Sequence, residues 1–213
     1  MNKYKILFID EEEMERIDFR IYVEDNDSEK VFDLRTPEPG HILNDFVSTI
    51  INENYDAIIT DHNLKSSNSA IQYDGLMLVE AILEVRYNFP CFILTSYEDD
   101  AIRDGKDVNI VYIKDIMVPE EEKNHQVKFI DRVKNQIEHH RKKIKDIEDE
   151  IKVLVARKDL NADEEIRLLE LDSTLEKMTN QPSSIPSKFK SKTNLEALHK
   201  LIDNTDQLLK SLK

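Results

Sequence analysis

Glycine is scarce in this chain: there are three, and none lies beyond Gly105. From about Glu120 to Lys158 there is neither glycine nor proline, so nothing there interrupts a long helix. Aromatic residues thin out over the same part. The one cysteine, Cys91 in "FPCFIL", sits in an apolar run without a partner, so no internal disulfide can form and a cytoplasmic protein is expected. No apolar run approaches the roughly 20 residues that span a bilayer, which excludes a membrane helix. The opening "MNKYKILFID" carries four apolar residues before an acid, the pattern of a strand and not of a signal peptide. No Cys/His spacing resembles a zinc site.

Positive charge is also short. The net charge is -14, and it is uneven: residues 1–123 hold 28 acidic and 12 basic side chains, whereas residues 124–213 hold 16 and 18. Such an acidic surface repels nucleic acid and anionic lipid, so neither is an expected partner. The basic clusters "RKKIK" (141–145) and "KFKSK" (188–192) read as a solvated helix face and a solvated linker.

What the first part does contain is an alternation of short apolar runs with helical patterns. "KILFI" (5–9), "KVFDLR" (30–35), "DAIIT" (56–60), "CFILTS" (91–96) and "NIVYI" (109–113) read as strands. Between them, residues 12–24 place Met14, Ile17 and Ile21 at helical spacing, residues 41–53 place Ile42, Phe46 and Ile50 on one face, and residues 74–87 place Leu76, Val79 and Leu83 inward. A short helix over "EDDAIRDG", closed by Gly105, follows the fourth strand. Five such units predict an α/β fold: a five-stranded parallel sheet in the flavodoxin-like order 2-1-3-4-5, followed by an all-helical coiled-coil or bundle region.

In the second part Ile130, Ile137, Ile144 and Ile151 recur every seven residues, with Val133, His140, Ile147 and Leu154 three residues after each. That is an a/d seam of about four heptads. His140 occupies a d position and reads as a polar residue that tunes register. "RKDLNADEE" interrupts the pattern, and Asn161 with Glu164 predicts a capping box for a return helix whose face carries Leu168, Leu171, Leu175 and Met178. A Pro/Ser-rich linker and a last amphipathic helix follow. The expected divisions are 1–123, 124–179, 180–192 and 193–213.

In an open parallel sheet of this order, ligands collect at the carboxyl ends of the strands, between the first and third. The first strand ends in Asp10-Glu11-Glu12 and the third in Asp61. Like charges a few ångströms apart resist joint ionisation. A divalent cation with oxygen ligands resolves that conflict, and Mg²⁺ bound by few carboxylates also recruits phosphate. The fourth strand ends in Thr95-Ser96 and the fifth in Lys114, at the same edge. This set suits a phosphoryl group: the cation and Lys114 neutralise its oxygens, Thr95 donates a hydrogen bond, and Asp61 supplies the attacking oxygen.

With "ILFIDEEE", "AIITDHNL", "DG" before the third helix, "FILTS" and "YIK" in this order, residues 3–135 resemble the receiver domain of bacterial response regulators, such as the chemotaxis response regulator. The resemblance implies a phosphoacceptor at Asp61 and a Mg²⁺ held by Glu11, Asp61 and the backbone carbonyl of Asn63, with Asp10 supporting it through water. It implies Thr95 as the switching hydroxyl and Lys114 as the phosphate-pairing base. It further implies a histidine kinase or phosphotransfer protein as the donor.

Four features depart from that family. Lys65 stands where a proline is usual, and the loop from Asp61 to Gly75 is about six residues longer, with a polar "SSNSA" filling. Val111 replaces the aromatic switch residue, while the adjacent Tyr112 should face the other side of the strand. Asp115 replaces the proline after the lysine. No helix-turn-helix is evident, so the expected output is a downstream protein partner engaged through the helical region. Isoleucine at every a position permits a homodimer. The alternative is an unphosphorylated scaffold acting by protein–protein contact. An enzyme is not expected: a phosphatase using Asp61 as nucleophile would lack a general acid and a substrate pocket.

Overall fold

A computed structural model describes residues 3–65, 70–96, 111–117, 128–157 and 159–180 of the chain. The "SSNSA" filling up to residue 69, the helix expected at 98–105, the start of the fifth strand, the linker beyond residue 180 and the helix expected at 193–213 all lie outside the described residues. Contacts divide the chain into two compact units, residues 1–142 and 143–213.

In the first unit the elements are β1 (Tyr4–Ile9), α1 (Glu13–Asn26), β2 (Phe32–Arg35), α2 (Leu43–Asn52), β3 (Ala57–Asp61), α3 (Gly75–Val85), β4 (Cys91–Thr95) and β5 (Val111–Ile113). A 3₁₀ turn over Lys114–Met117 follows, and the long helix α4 (Phe129–Ala156) begins. The five strands are all parallel and lie in the order β2-β1-β3-β4-β5. This is the flavodoxin-like arrangement expected from the run pattern.

The β1, β3 and β4 runs are apolar nearly throughout because both faces of the sheet are covered. Leu7, Ile9, Ile58 and Ile93 point to one face, where Val47 and Ile50 of α2 and Leu78, Val79 and Ile82 of α3 close over them. Ile6, Phe8, Ile59, Phe92 and Leu94 point to the other, against Phe19 and Val23 of α1 and Phe129, Ile130, Val133 and Ile137 of α4. Val111 packs on the first face and Tyr112 on the second, as strand alternation requires. Cys91 is buried at the start of β4.

One helix turns the opposite way from its predicted face. Met14, Ile17 and Ile21 of α1 are 64%, 37% and 50% exposed, and Arg16, Phe19 and Val23 are buried instead. Two stripes on α1 share helical spacing, and the chain buries the one that carries Arg16, Phe19 and Val23. The Phe19 ring stacks on Phe8 with centroids 4.0 Å apart, and the Arg16 guanidinium donates to the backbone oxygen of Asp10 at 2.7 Å. On α3, Leu78 and Ile82 join Val79 in the core, whereas Leu76 and Leu83 are only partly buried.

The heptad stripe of α4 serves two cores. Its first part, Ile130 to Ile137, covers the sheet. Its second part, Ile147, Ile151 and Leu154, packs in the second unit on Leu168, Leu171, Leu175 and Met178 of α5 (Ala162–Thr179). His140 is buried beside the Phe89 ring, which it meets edge-on at 6.0 Å. The predicted capping box is present: the Asn161 side chain accepts from Glu164 N–H, and the Glu164 carboxylate accepts from Asn161 N–H. A bidentate pair between Arg167 and Glu150, at 2.8 and 3.0 Å, joins the two helices on their solvated side.

Candidate functional site at the strand ends

The pairing register decides which side chains meet at the carboxyl edge. Asp61 lies opposite Leu94, so Thr95 is the next residue along β4. Thr95 in turn lies opposite Ile113, so Lys114 is the next residue along β5. β1 runs beside β3 with Ile9 opposite Thr60, which brings Asp10 level with Asp61. Four strand tips thereby supply their terminal residues to one place.

Lys114 is the centre of the arrangement. Its ammonium lies 2.9 Å from Asp61 Oδ1, 3.1 Å from Asp10 Oδ2 and 2.9 Å from Glu15 Oε2. Burial works against this ammonium. The charges and hydrogen bonds of Asp61, Glu15 and Asp10 outweigh it and hold the Lys114 pKa above its ordinary value. Asp10 is almost fully buried, and its carboxyl is pushed up to about 7. Burial is the main cause; the hydrogen bond from Glu12 N–H, at 2.9 Å, and the Lys114 charge pull the other way.

Asp61 is held from both sides. Its Oδ1 faces Lys114, and its Oδ2 accepts from Asn63 N–H at 2.5 Å. The chain then returns to the same acid. Gly75 N–H donates to His62 carbonyl at 2.9 Å, and a Cβ on Gly75 would stand 2.0 Å from the Asp61 carbonyl oxygen. Only glycine permits that approach. Asp74, just before it, caps α3 by accepting from Met77 N–H. These contacts account for the acid and glycine that follow the Asp61 run.

Of the residues singled out by sequence, Asp10, Glu11 and Asp61 offer carboxylate oxygens within 4.8 Å of one another. Thr95 is buried at the tip of β4, and Asn63 touches Asp61 through its N–H. A hard, all-oxygen donor set with two buried acids fits Mg²⁺, whose charge would offset the cost of keeping Asp10 ionised. Two residues at the site were not anticipated. Glu15 reaches Lys114 from the first turn of α1, and Arg16 braces the Asp10 backbone. The sequence carries no signal for Glu15, because Glu11 precedes the helix and an acid in a helix's first turn is ordinary.

No family model matches the chain, and no curated protein sequence does. Among solved structures, one described by its conformational dynamism for DNA interaction in the Salmonella typhimurium RcsB response regulator is similar with a TM-score of 0.40 and 11% identity, over 91% of this chain and 98% of that one. A structure of the two-component response regulator RcsB–DNA complex gives 0.42 and 10%, over 92% and 98%. Likeness at this level carries no weight for the role of this chain. The DNA in those descriptions belongs to those proteins, and the expectation that nucleic acid is not a partner gains no support. Among the described residues, no helix is long and apolar enough to cross a membrane.

Proposed function

We propose that the first unit is a receiver-type phosphoacceptor module of a two-component signalling system, with Asp61 as the acceptor. The observation that carries this reading is the single ammonium of Lys114 within hydrogen-bond distance of both Asp61 and Asp10 at the sheet's switch point. A nucleophilic carboxylate, a paired cation and an adjacent acidic pocket are what transfer of a phosphoryl group to an aspartate requires.

In this mechanism an Asp61 carboxylate oxygen attacks the phosphorus of a donor. An acyl phosphate bond forms, and the bond from phosphorus to the donor's leaving group breaks, with its electron pair departing on that group. Asn63 N–H holds the second Asp61 oxygen and so aims the first. Lys114 meets the charge that moves onto the phosphoryl oxygens, and the Thr95 hydroxyl donates a hydrogen bond to one of them. Glu11 and Asp61, with Asn63 carbonyl and support from Asp10, would hold Mg²⁺, which neutralises phosphoryl oxygens when bound. The chain acts as a stoichiometric acceptor and not as a turnover enzyme. Its donor is a histidine kinase or phosphotransfer protein, and its output is a protein partner engaged through the helical region.

The test is exposure to acetyl phosphate with Mg²⁺, followed on a phosphate-affinity gel. The native chain should shift, and Asp61→Asn should not. No shift in the native chain, with no response to beryllofluoride, would favour the unphosphorylated scaffold.

A further inference from the structure

The third partner of Lys114 has no place in the mechanism above. An ammonium has three N–H donors, and in this chain all three face carboxylates: Asp10, Asp61 and Glu15, at 2.9 to 3.1 Å. Asp10 and Asp61 are fixed at strand tips. Glu15 stands on the first turn of α1, its side chain is 37% exposed, and the Lys114 side chain it meets is 15% exposed. Glu15 is thus the carboxylate with room to leave.

Resting on the phosphoacceptor reading, we propose that Glu15 is a positioning residue that occupies Lys114 in the unmodified chain and competes with the incoming phosphoryl oxygens for it. A phosphoryl group on Asp61 must find a donor on Lys114, and the donor that turns toward Glu15 is already engaged. Because each lies 2.9 Å from the same nitrogen, the Glu15 and Asp61 oxygens are no more than about 6 Å apart. A further negative charge beside Asp61 therefore meets the Glu15 charge at short range, in a partly desolvated site. Glu15 restrains modification by charge, while its hydrogen bond keeps the lysine aimed.

Glu15→Gln separates the two effects, since the amide oxygen still accepts from Lys114 but carries no charge. Glu15→Asp keeps the charge and serves as the conservative control. Beryllofluoride with Mg²⁺, followed by thermal melts, is the probe. Glu15→Gln should lower the beryllofluoride midpoint about tenfold, equivalent to about 1.4 kcal/mol, and should label faster with acetyl phosphate. Glu15→Asp should stay within about threefold of the native midpoint. Melts without Mg²⁺ should agree within about 2 °C, because Glu15 is half-exposed. A native chain that responds, with a Glu15→Gln midpoint equal to or above its own, overturns this inference and leaves the phosphoacceptor reading standing. A chain that responds in no variant overturns both.

Discussion

Replacing Asp10 with asparagine tests the electrostatics of the site directly. Asp10 is nearly inaccessible, and its carboxyl is raised to about 7 from 3.8, chiefly by burial. A carboxyl raised on folding favours the folded state fully below its unfolded pKa, and that contribution is lost as pH rises through the folded value. Above about pH 7 the metal-free chain therefore carries an ionised acid in a poor environment, at a cost of up to about 4 kcal/mol. Asparagine keeps an oxygen for Glu12 N–H and removes the charge, but Lys114 loses one of its three anionic partners. We expect Asp10→Asn to exceed the native chain by about 2–3 kcal/mol near pH 8 and by no more than about 1 kcal/mol near pH 4.5. Urea unfolding in chelator, read by far-UV circular dichroism at both pH values, measures this. Adding Mg²⁺ should then stabilise the native chain, more at pH 8 than at pH 6 because the ion competes with the Asp10 proton, and should stabilise the variant less. An equal gap at both pH values, or a variant less stable near pH 8, would refute the account of Asp10.

Three further outcomes follow from packing. Gly75→Ala forces a Cβ into the Asp61 carbonyl, so it should destabilise the first unit by about 3 kcal/mol and open the strand end to proteolysis, read by urea unfolding and limited digestion. Phe129→Ala removes a fully buried ring that stands edge-on to both Phe92 and Tyr112, and should cost about 3–5 kcal/mol in the same unfolding assay. Ile21→Ser should change stability by less than about 0.5 kcal/mol, because α1 turns that side chain to solvent.

The strands were legible because a parallel sheet covered on both faces needs unbroken apolar runs, and residues 6–9, 57–59 and 91–94 are such runs. The acidic edge was legible because Asp10 and Asp61 each stand at the point where a run stops. The inward face of α1 was not. Met14, Ile17 and Ile21 have the right period, and only the stacking of Phe19 on Phe8 and the hold of Arg16 on Asp10 reverse the choice. Helical period locates a stripe; contact area selects between two of them. The division of the α4 stripe was hidden for a related reason. A helix on a sheet and a helix on a helix both ask for apolar residues at a and d, so Ile130 and Ile151 look alike in sequence yet bury against different partners. Glu15 escaped because an acid in a helix's first turn is ordinary, and only coordinates show that it reaches Lys114.

Cys91 offers a practical return. The chain's lone thiol is buried in β4, and that burial pushes it up to about 12. At neutral pH it is almost wholly protonated and shielded from reagents, so the natural background is silent toward maleimides and other thiol probes. A cysteine placed at an exposed position such as Tyr87 or Val153 would take up a single fluorophore or spin label without first deleting the native one. Whether acetyl phosphate with Mg²⁺ moves any part of the molecule can therefore be followed in an otherwise wild-type chain.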